Sequence, residues 1–544
     1  MEIINKLLKS QNKRWLVASL IISIVLLLPL FFLFSNVFNI EKSAFSYLWN
    51  TLLLDYSLNT LYLIFLTGSF SLVFGIIPAW FISNYTFRLR KFFDIALYLP
   101  LAIPTYIMAF TYSDILSFTG PIQSFLRKTY PSLAELLNKD YLQIEILSVI
   151  LGLALYPYIY TACRLSFSLI GSSYINMSKN LGLSGVKLFF KVILPLSKPA
   201  IFSGLFLVIM EVLNEYGAVK YFGVNTYTTG IFRAWFSMGN ESTAIQLACL
   251  LLLIVFVFLI FQKVLSRRSK FYYSSNSKIE KLNKPLGFKR FYIYIFCSIP
   301  FVVGFLIPFS YVLNNCILYF DKIDFTTLYI LSKNSIVISV FSSAIIICIS
   351  LLFLYVEKIS KLKISSFIGQ ATSLGYVIPG AVIGLAVILL FTKVSMLQSF
   401  SLVGSFSVLI YAYVFRFLAV GKSPIKSSLE KHPESFDDTA KTLGLGPFKI
   451  LQKIHFPINK LALAIAFIVT FVDLLKELPI TLILRPFNFD TLATQTYQFA
   501  IEEMLMESAV YSLAIISIGA VTVSYTHLRA HETPEHLVCR LLLE

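Results

Sequence analysis

Twelve long apolar runs constrain the fold of this chain more than any other feature of its sequence. Each run is about as long as the roughly 20 residues that a helix needs to cross the hydrocarbon core of a bilayer. They are continuous and lack the alternating segments of about ten residues that mark barrel strands. The sequence therefore predicts an all-α, polytopic membrane protein with about twelve transmembrane helices. The runs lie at about 15–34, 58–82, 93–116, 144–169, 199–217, 244–262, 291–314, 334–356, 367–392, 401–420, 461–482 and 507–523.

Composition excludes the other broad classes. Of the 544 residues, 57% are hydrophobic and 13% are charged, against about 45–50% and 25% in soluble domains. So few charges cannot cover a soluble surface, and they also exclude a disordered chain or a coiled coil. The six cysteines form no close pair that would indicate a disulfide or a metal site. The net charge of +17 is attributed to loops facing the cytoplasm, and no nucleic-acid partner is expected.

The distribution of basic residues predicts the orientation. With the N-terminus inside, the inner segments hold 30 Lys and Arg residues and the outer loops hold 10. This excess predicts that both termini are cytoplasmic. The first run follows a basic segment, but no small-residue cleavage site follows Phe34, so we interpret it as a retained anchor. The expected location is a bacterial inner membrane.

The chain repeats itself. Six spans fall in each half, so the two halves share one orientation and form a parallel repeat. We expect a first half at 1–263, a basic cytoplasmic linker at 264–290 and a second half at 291–523. The matched landmarks are Asn59 with Asn334 and Pro104 with Pro379, 275 residues apart, and Gly182 with Gly444 and Pro195 with Pro457, 262 apart.

The most specific motif occurs once in each half, in the inner connection after the fourth span. A three-residue opening is followed by three residues and a glycine. After nine intervening residues come an aliphatic residue, one further residue, and an apolar residue followed by proline. Glycine allows backbone conformations that other residues resist, and proline breaks or starts helices. The residues of this motif that we expect to function are Asn176, Gly182, Leu194, Pro195, Asp438, Ala440, Gly444, Ile454 and Pro457.

Both copies resemble the Glu-Ala-Ala loop of ABC-importer permeases, which implies the fold of a type I ABC-importer permease. The resemblance implies that each loop docks one copy of an ABC ATPase. Asn176 stands where glutamate is usual, followed by Met177 and Ser178 in place of alanines, whereas the second copy keeps Asp438 and Ala440. An amphipathic helix on the lipid surface is the alternative. The chain contains no Gly-x4-Gly-Lys-Ser/Thr motif, so ATP is expected on the partner, and no cofactor on this chain.

Longer segments resemble fused two-half ferric-iron permeases. They are 118–127, 211–236 and 473–500. The resemblance implies a periplasmic solute-binding protein as a partner and ferric iron as the substrate. Thiamine, polyamine or phosphonate, carried by the same type of permease, is the alternative substrate. An ion-gradient-driven secondary transporter is the alternative of another class, since it can also have parallel six-span repeats. No catalytic constellation indicates a membrane enzyme.

Four acidic residues lie within matched spans, and Glu211, 12 residues beyond Pro199, is expected about 18 Å into the bilayer at 1.5 Å per residue. Glu211 and Glu215 share one helix face, and Asp473 and Glu477 occupy the same places 262 residues later. Ionisable groups inside a membrane are costly and are candidates for function. A translocation or gating role and a structural role, in which the acids pair with Lys476, Arg164 or Arg416, both remain open. We expect no dedicated metal site.

The last segment, 524–544, is unlike the rest of the chain. It contains three of the five histidines, His527, His531 and His536, and also Cys539. Its sequence resembles translated adapter read-through at the ends of unrelated reading frames. We therefore interpret it as a non-native tail and not as a metal site.

We expect a chain that lacks 524–544 to transport as well as the full chain, because a foreign segment makes no essential contact. Uptake per purified complex measures this. A clear loss of uptake, or stoichiometric metal held by the tail, would contradict the interpretation.

Overall fold

The chain is helical almost throughout. The computed structural model describes residues 13–36, 46, 49–136, 138–170, 172–183, 185–267, 284–285, 287–360, 363–394, 402–433 and 435–532. Within these ranges it contains no β-strand. The predicted all-α fold is confirmed for this part of the chain.

Eight continuous segments and four bent pairs have the length and the apolar character of membrane spans. Counted with each bent pair as one span, the described residues contain up to twelve, and the prediction of about twelve is confirmed. The continuous segments are Lys13–Asn36, Leu53–Asn84, Ile144–Leu169, Glu241–Arg267, Phe288–Phe301 continued through the π-helical turn Val302–Leu306 into Ile307–Leu318, Phe325–Ser360, Phe406–Leu429 and Leu505–Glu532. The bent pairs are Arg90–Ala102 with Thr105–Thr129, Gly185–Leu196 with Lys198–Asn214, Ile364–Tyr376 with Gly380–Lys393, and Pro447–Ile458 with Lys460–Lys476.

The bends occur at equivalent places in the two halves. At Pro104 and Pro379 the spans bend by 91° and 109°, and both prolines have extended backbone, with φ of −55°. The other two bends, of 71° and 76°, follow Leu196 and Ile458. Proline has no N–H to continue a helix, and such breaks are tolerated in membranes where protein surrounds them. The repeat predicted from the sequence is therefore also a repeat of backbone geometry.

Short helices connect the spans. These connecting helices lie outside the twelve candidate spans. The bent pairs are themselves divided into shorter α-helical and 3-10 pieces. The connecting helices are Pro131–Leu136, Ser172–Asn180, Gly217–Tyr221, Tyr227–Phe232 with the π-helical turn Arg233–Ser237, the 3-10 turn Phe320–Lys322, Ser435–Thr442, Pro479–Leu484 and Leu492–Ile501. The pieces within bent pairs include Arg90–Ala96, Leu99–Ala102, Thr105–Leu116, Pro121–Thr129, Lys363–Ser373 and Leu374–Tyr376.

One compact unit comprises Met1–Lys42, Glu241–Cys249 and Tyr329–Thr491. In its core, Phe406–Leu429 packs against Lys460–Lys476, and Leu354, Ile425 and Leu463 are buried there. The N-terminal helix Lys13–Asn36 packs along Gly380–Lys393. This unit therefore combines a helix from the first half of the sequence with most of the second half.

The second unit comprises Ser43–Asn240, Leu250–Leu328 and Leu492–Glu544. Its centre is the packing of Leu53–Asn84 against Ile144–Leu169. Glycines bring these two helices close together: a methyl group on Gly75 would lie 2.9 Å from Ile159, and one on Gly152 would lie 2.7 Å from Phe70. Small residues at such crossings are the usual means of tight helix packing in membranes.

The last helix, Leu505–Glu532, packs in this second unit against Ile307–Leu318. The side chains of 525–532 and all of 533–544 lie outside the described residues, and the interpretation of the tail falls there. The predicted division at 263 and 291 stays a prediction about the sequence repeat, since each compact unit draws on both halves.

Candidate functional site

Each half carries a short helix at the place where the docking motif was found. We call these helices, Ser172–Asn180 and Ser435–Thr442, the docking helices, after the role predicted from the sequence. Each is followed by a glycine in the left-handed region, Gly182 with φ of 78° and Gly444 with φ of 76°. Residues with a Cβ adopt this region only at a cost of about 1–2 kcal/mol, so the chain requires glycine at both turns.

The two turns have the same hydrogen bonds. In the second half, the N–H of Gly444 donates to the carbonyl of Lys441 (2.9 Å), and the N–H of Leu445 donates to the carbonyl of Ala440 (3.0 Å). This pair of bonds defines a Schellman motif, which satisfies the last carbonyls of a helix as the chain turns away. The equivalent bonds in the first half run from Gly182 to Lys179 (2.9 Å) and from Leu183 to Ser178 (3.0 Å).

Beyond the turn the two loops correspond residue for residue, at an offset of 262. Pro195 and Pro457 lie within helical backbone, and the bend of each span follows at Ser197 and Asn459. Each proline thus lies two residues before the point at which the chain turns into the next membrane helix. The matched segments are Gly185–Leu188 with Pro447–Ile450, the π-helical turns Phe189–Ile193 with Leu451–His455, and Leu194–Leu196 with Phe456–Ile458.

The predicted docking residues divide in the same way in both halves. Asn176 and Asp438, at the first motif position, are exposed, whereas Ser178 and Ala440, at the third, are buried. In each helix the third motif residue therefore packs against the rest of the protein, and the first motif residue is exposed. Asp438 Oδ1 lies 3.1 Å from Lys441 Nζ, on the exposed side of the helix. Of the remaining motif residues, Leu194, Pro195 and Ile454 are half-buried and Pro457 is exposed.

Matched apolar side chains are exposed on both loops, and the list of predicted docking residues did not include them. The pair of Leu181 and Leu443 is 76% exposed at both positions. The signal that could have found them is the 262-residue offset applied to apolar residues. Exposed apolar residues that repeat on two equivalent loops are typical of a protein-binding surface. The other matched pairs are Tyr174 with Phe436 and Val186 with Phe448, all exposed.

Glu215 and Glu477 lie just beyond the ends of equivalent helices and are buried. The Glu215 carboxylate accepts a hydrogen bond from the N–H of Ala218 (2.9 Å), and the Glu477 carboxylate accepts one from the N–H of Ile480 (3.1 Å). Each acid therefore caps the first turn of the short helix that follows it. This arrangement favours a structural role at the end of the span.

The second contacts of the two capping acids differ. Glu215 accepts a hydrogen bond from the hydroxyl of Thr105, which follows Pro104. Glu477 Oε2 lies 3.5 Å from Nε of the buried Arg416, which also donates to the carbonyl of Ile378 (3.0 Å). The acids thus hold the bent spans in place, through a hydroxyl in one half and an ion pair in the other.

Glu211 and Asp473 occupy the last turn of their helices and are partly exposed. Asp473 Oδ1 lies 3.4 Å from Lys476 Nζ. Arg164, which the sequence left as a third partner for these acids, pairs instead with Asp94. Of the four acids, Glu211 and Asp473 therefore remain the more accessible pair, and the capping acids are the less accessible pair.

Comparison with known proteins agrees with this geometry. Residues 71–271 match the model of the binding-protein-dependent transport system inner membrane component. The chain is similar to the Fe(3+)-transport system permease protein FbpB 2 of Haemophilus influenzae, at 25% identity over 84% of this chain and 86% of that protein. It is also similar to the sulfate permease CysT of Salmonella typhimurium (26% identity, 38% of this chain, 72% of that protein) and to the molybdenum permease ModB of Escherichia coli (25% identity, 41% of this chain, 95% of that protein).

The similarity to a permease along 84% of the chain, the family match within the first half and the two equivalent loops with their bent spans all agree. Residues 71–271 therefore resemble the inner-membrane component of binding-protein-dependent transport systems, and the chain is similar over most of its length to a permease subunit of such a system.

Proposed function

We propose that this permease passes ferric iron from a periplasmic binding protein into the cytoplasm, driven by an ABC ATPase bound to its two docking loops. The main support for this transport mechanism is the pair of docking helices. At an offset of 262 residues they have the same backbone conformation and the same pattern of exposed and buried residues. What supports iron is the similarity to an Fe(3+)-transport permease over 84% of the chain. The sulfate and molybdenum permeases align with no more than 41% of it.

Two ATPase copies are proposed, one on each loop, on the side that the basic residues predict to be cytoplasmic. Each docking helix offers a partner one polar residue, Asn176 or Asp438, beside exposed apolar side chains. An apolar patch with a polar rim is the usual composition of a protein interface. The charge on Asp438 and its absence on Asn176 support unequal contacts with the two ATPases.

The proposal is tested in liposomes that contain the purified permease, the ATPase that co-purifies with it and a periplasmic ferric-iron-binding protein from the same organism. We expect ATP-dependent uptake of radioactive Fe³⁺ and no uptake of sulfate, molybdate, thiamine, polyamine or phosphonate. Uptake of one of these other solutes would replace iron as the substrate and would retain the ABC mechanism. Uptake that persists without ATP and stops when the ion gradient is collapsed would instead indicate a secondary transporter.

A second prediction separates the roles of the accessible acids. Glu211→Gln combined with Asp473→Asn removes both charges and keeps the hydrogen-bonding groups. If these acids line or gate the route, uptake per folded complex should fall at least tenfold while expression and ATPase binding stay normal, because ionisable groups at membrane depth are retained for function. If they only stabilise the helix ends, the yield falls and uptake per folded complex is unchanged.

A further inference from the structure

The two docking loops are attached to the protein by different chemistry. In the first half, the π-helical turn after the docking helix packs through aromatic rings. The ring of Phe189 lies 4.9 Å from that of Trp80, and the ring of Phe167 lies 5.9 Å from Trp80 and 6.1 Å from Phe189. The docking helix itself buries Ile175, and the π-helical turn buries Ile193. This attachment is apolar.

In the second half the equivalent positions are ionisable. Ile175 is replaced by Asp437 and Ile193 by His455, each 262 residues later. His455 Nε2 lies 2.6 Å from Asp437 Oδ1. On the other side of the same carboxylate, Lys358 Nζ lies 3.0 Å from Oδ2. Asp437 therefore joins the docking helix to the turn that follows it and to the end of the long helix Phe325–Ser360.

Neighbouring aromatic groups complete this attachment without covering the docking surface. The ring of Tyr355, one turn before Lys358, lies 5.6 Å from the ring of His455, and the Tyr355 hydroxyl donates to the carbonyl of Pro447. Phe448 stacks on Trp15 of the N-terminal helix at 6.5 Å and remains 62% exposed. The ionic contact thus lies behind the docking helix, whereas Asp438 lies on its exposed side.

Electrostatics favour the charged form of Asp437. Partial burial by itself would raise the pKa of this carboxyl, but the hydrogen bond and the charge of Lys358, together with the contact with His455, outweigh it and hold the pKa below its usual range. A charged carboxylate between two basic groups makes hydrogen bonds stronger than neutral ones. The contact is therefore present at neutral pH.

We propose that Asp437 is a positioning residue for energy coupling: through His455 and Lys358 it fixes the second docking helix in the orientation that its ATPase binds, whereas aromatic and aliphatic packing fixes the first. The inference rests on the proposed docking function and deepens it. Its consequence is that the affinity of the second loop for the ATPase depends on an ion pair that does not touch the ATPase.

The repeat itself supplies the test. Asp437→Asn breaks the ion pair, and the triple variant Lys358→Ser, Asp437→Ile, His455→Ile installs the residues found at the equivalent first-half positions, Ser83, Ile175 and Ile193. The ATPase is the one that co-purifies with the unmodified chain. We measure its affinity for the permease in nanodiscs, the number of copies bound, and the melting temperature of the permease alone.

We expect Asp437→Asn to weaken binding of one of the two ATPase copies at least tenfold, which corresponds to about 1.4 kcal/mol, with the other copy unchanged. The triple variant should bind within about twofold of the unmodified chain, since well-packed apolar groups can replace a buried ion pair at little cost. A role in stability alone would lower the melting temperature and leave the affinity of the folded permease unchanged.

Two results would overturn the proposal: an Asp437→Asn permease that binds both ATPase copies normally, or a folded triple variant that binds no better than Asp437→Asn. If the triple variant does not fold, Lys358→Ser alone decides, because it removes one partner of Asp437 at a site away from the docking helix, and normal binding by this variant would refute the role. Asp438→Asn is the matched control for direct contact, and the triple substitution should not rescue it. An unmodified chain that binds no ATPase would instead refute the docking function.

Discussion

Gly444→Pro should abolish stable binding of the ATPase to the second docking loop while the permease still inserts in the membrane. Gly444 has φ of 76°, and proline locks φ near −65°. Proline also removes the N–H that donates to the carbonyl of Lys441. The docking helix then loses both the turn that orients it and one of its two capping bonds. Co-purification of the ATPase with the membrane-extracted permease measures the effect.

Two further variants calibrate this prediction. Gly444→Ala keeps the N–H but places a Cβ in the left-handed region, so a penalty of about 1–2 kcal/mol is expected, which corresponds to an affinity lower by roughly a factor of 5 to 30. Gly446→Ala is the matched control, because Gly446 has φ of −72° and open space around it. The Gly446→Ala permease should bind the ATPase as tightly as the unmodified chain does. A Gly444→Pro permease with its full ATPase complement would contradict the docking function. Gly182→Pro should act in the same direction on the first loop, where φ is 78°.

Arg416→Met should strongly reduce the amount of folded permease. Arg416 and Glu477 form a buried pair with side chains 3% and 5% exposed, and loss of one partner leaves the other charge uncompensated. Breaking such a pair costs about 3–5 kcal/mol, whereas replacing both members by neutral groups is often tolerated. Arg416→Met combined with Glu477→Gln should therefore recover much of the yield. Monodisperse protein after detergent extraction and its melting temperature are the measurements.

The first half supplies a matched comparison for this prediction. There the equivalent acid, Glu215, accepts a hydrogen bond from Thr105 in place of an arginine. Thr105→Val should cost only about 1–3 kcal/mol, the usual penalty for an unsatisfied buried group. Lys476→Met should cost less, because the pair of Asp473 and Lys476 is partly exposed and such pairs contribute little. A single Arg416→Met variant as stable as the unmodified chain would refute the structural role of Glu477.

The sequence alone predicted the features that depend on local chemistry. A span requires an apolar run of sufficient length, so the twelve runs indicated the twelve candidate spans directly. Pro104 and Pro379 were matched by their spacing, and both lie at bends because proline has no N–H to continue a helix; Pro78 and Pro157, by contrast, lie inside continuous helices. The turns at Gly182 and Gly444 follow from the left-handed backbone that glycine tolerates. Because these properties reside in single residues and their neighbours, matched spacing in the two halves was sufficient to locate the two equivalent loops.

The tertiary structure alone decided which distant groups meet. The sequence offered Arg164, Arg416 and Lys476 as partners for the acidic residues of the matched spans. In the structure Arg416 pairs with Glu477 and Lys476 pairs with Asp473. Arg164 pairs with Asp94. The fold also brings Lys358 to Asp437 from a helix 77 residues earlier in the chain, and places Lys13–Asn36 against Gly380–Lys393. No local pattern encodes such contacts, because a buried charge is satisfied by whichever partner the packing of the helices brings within reach.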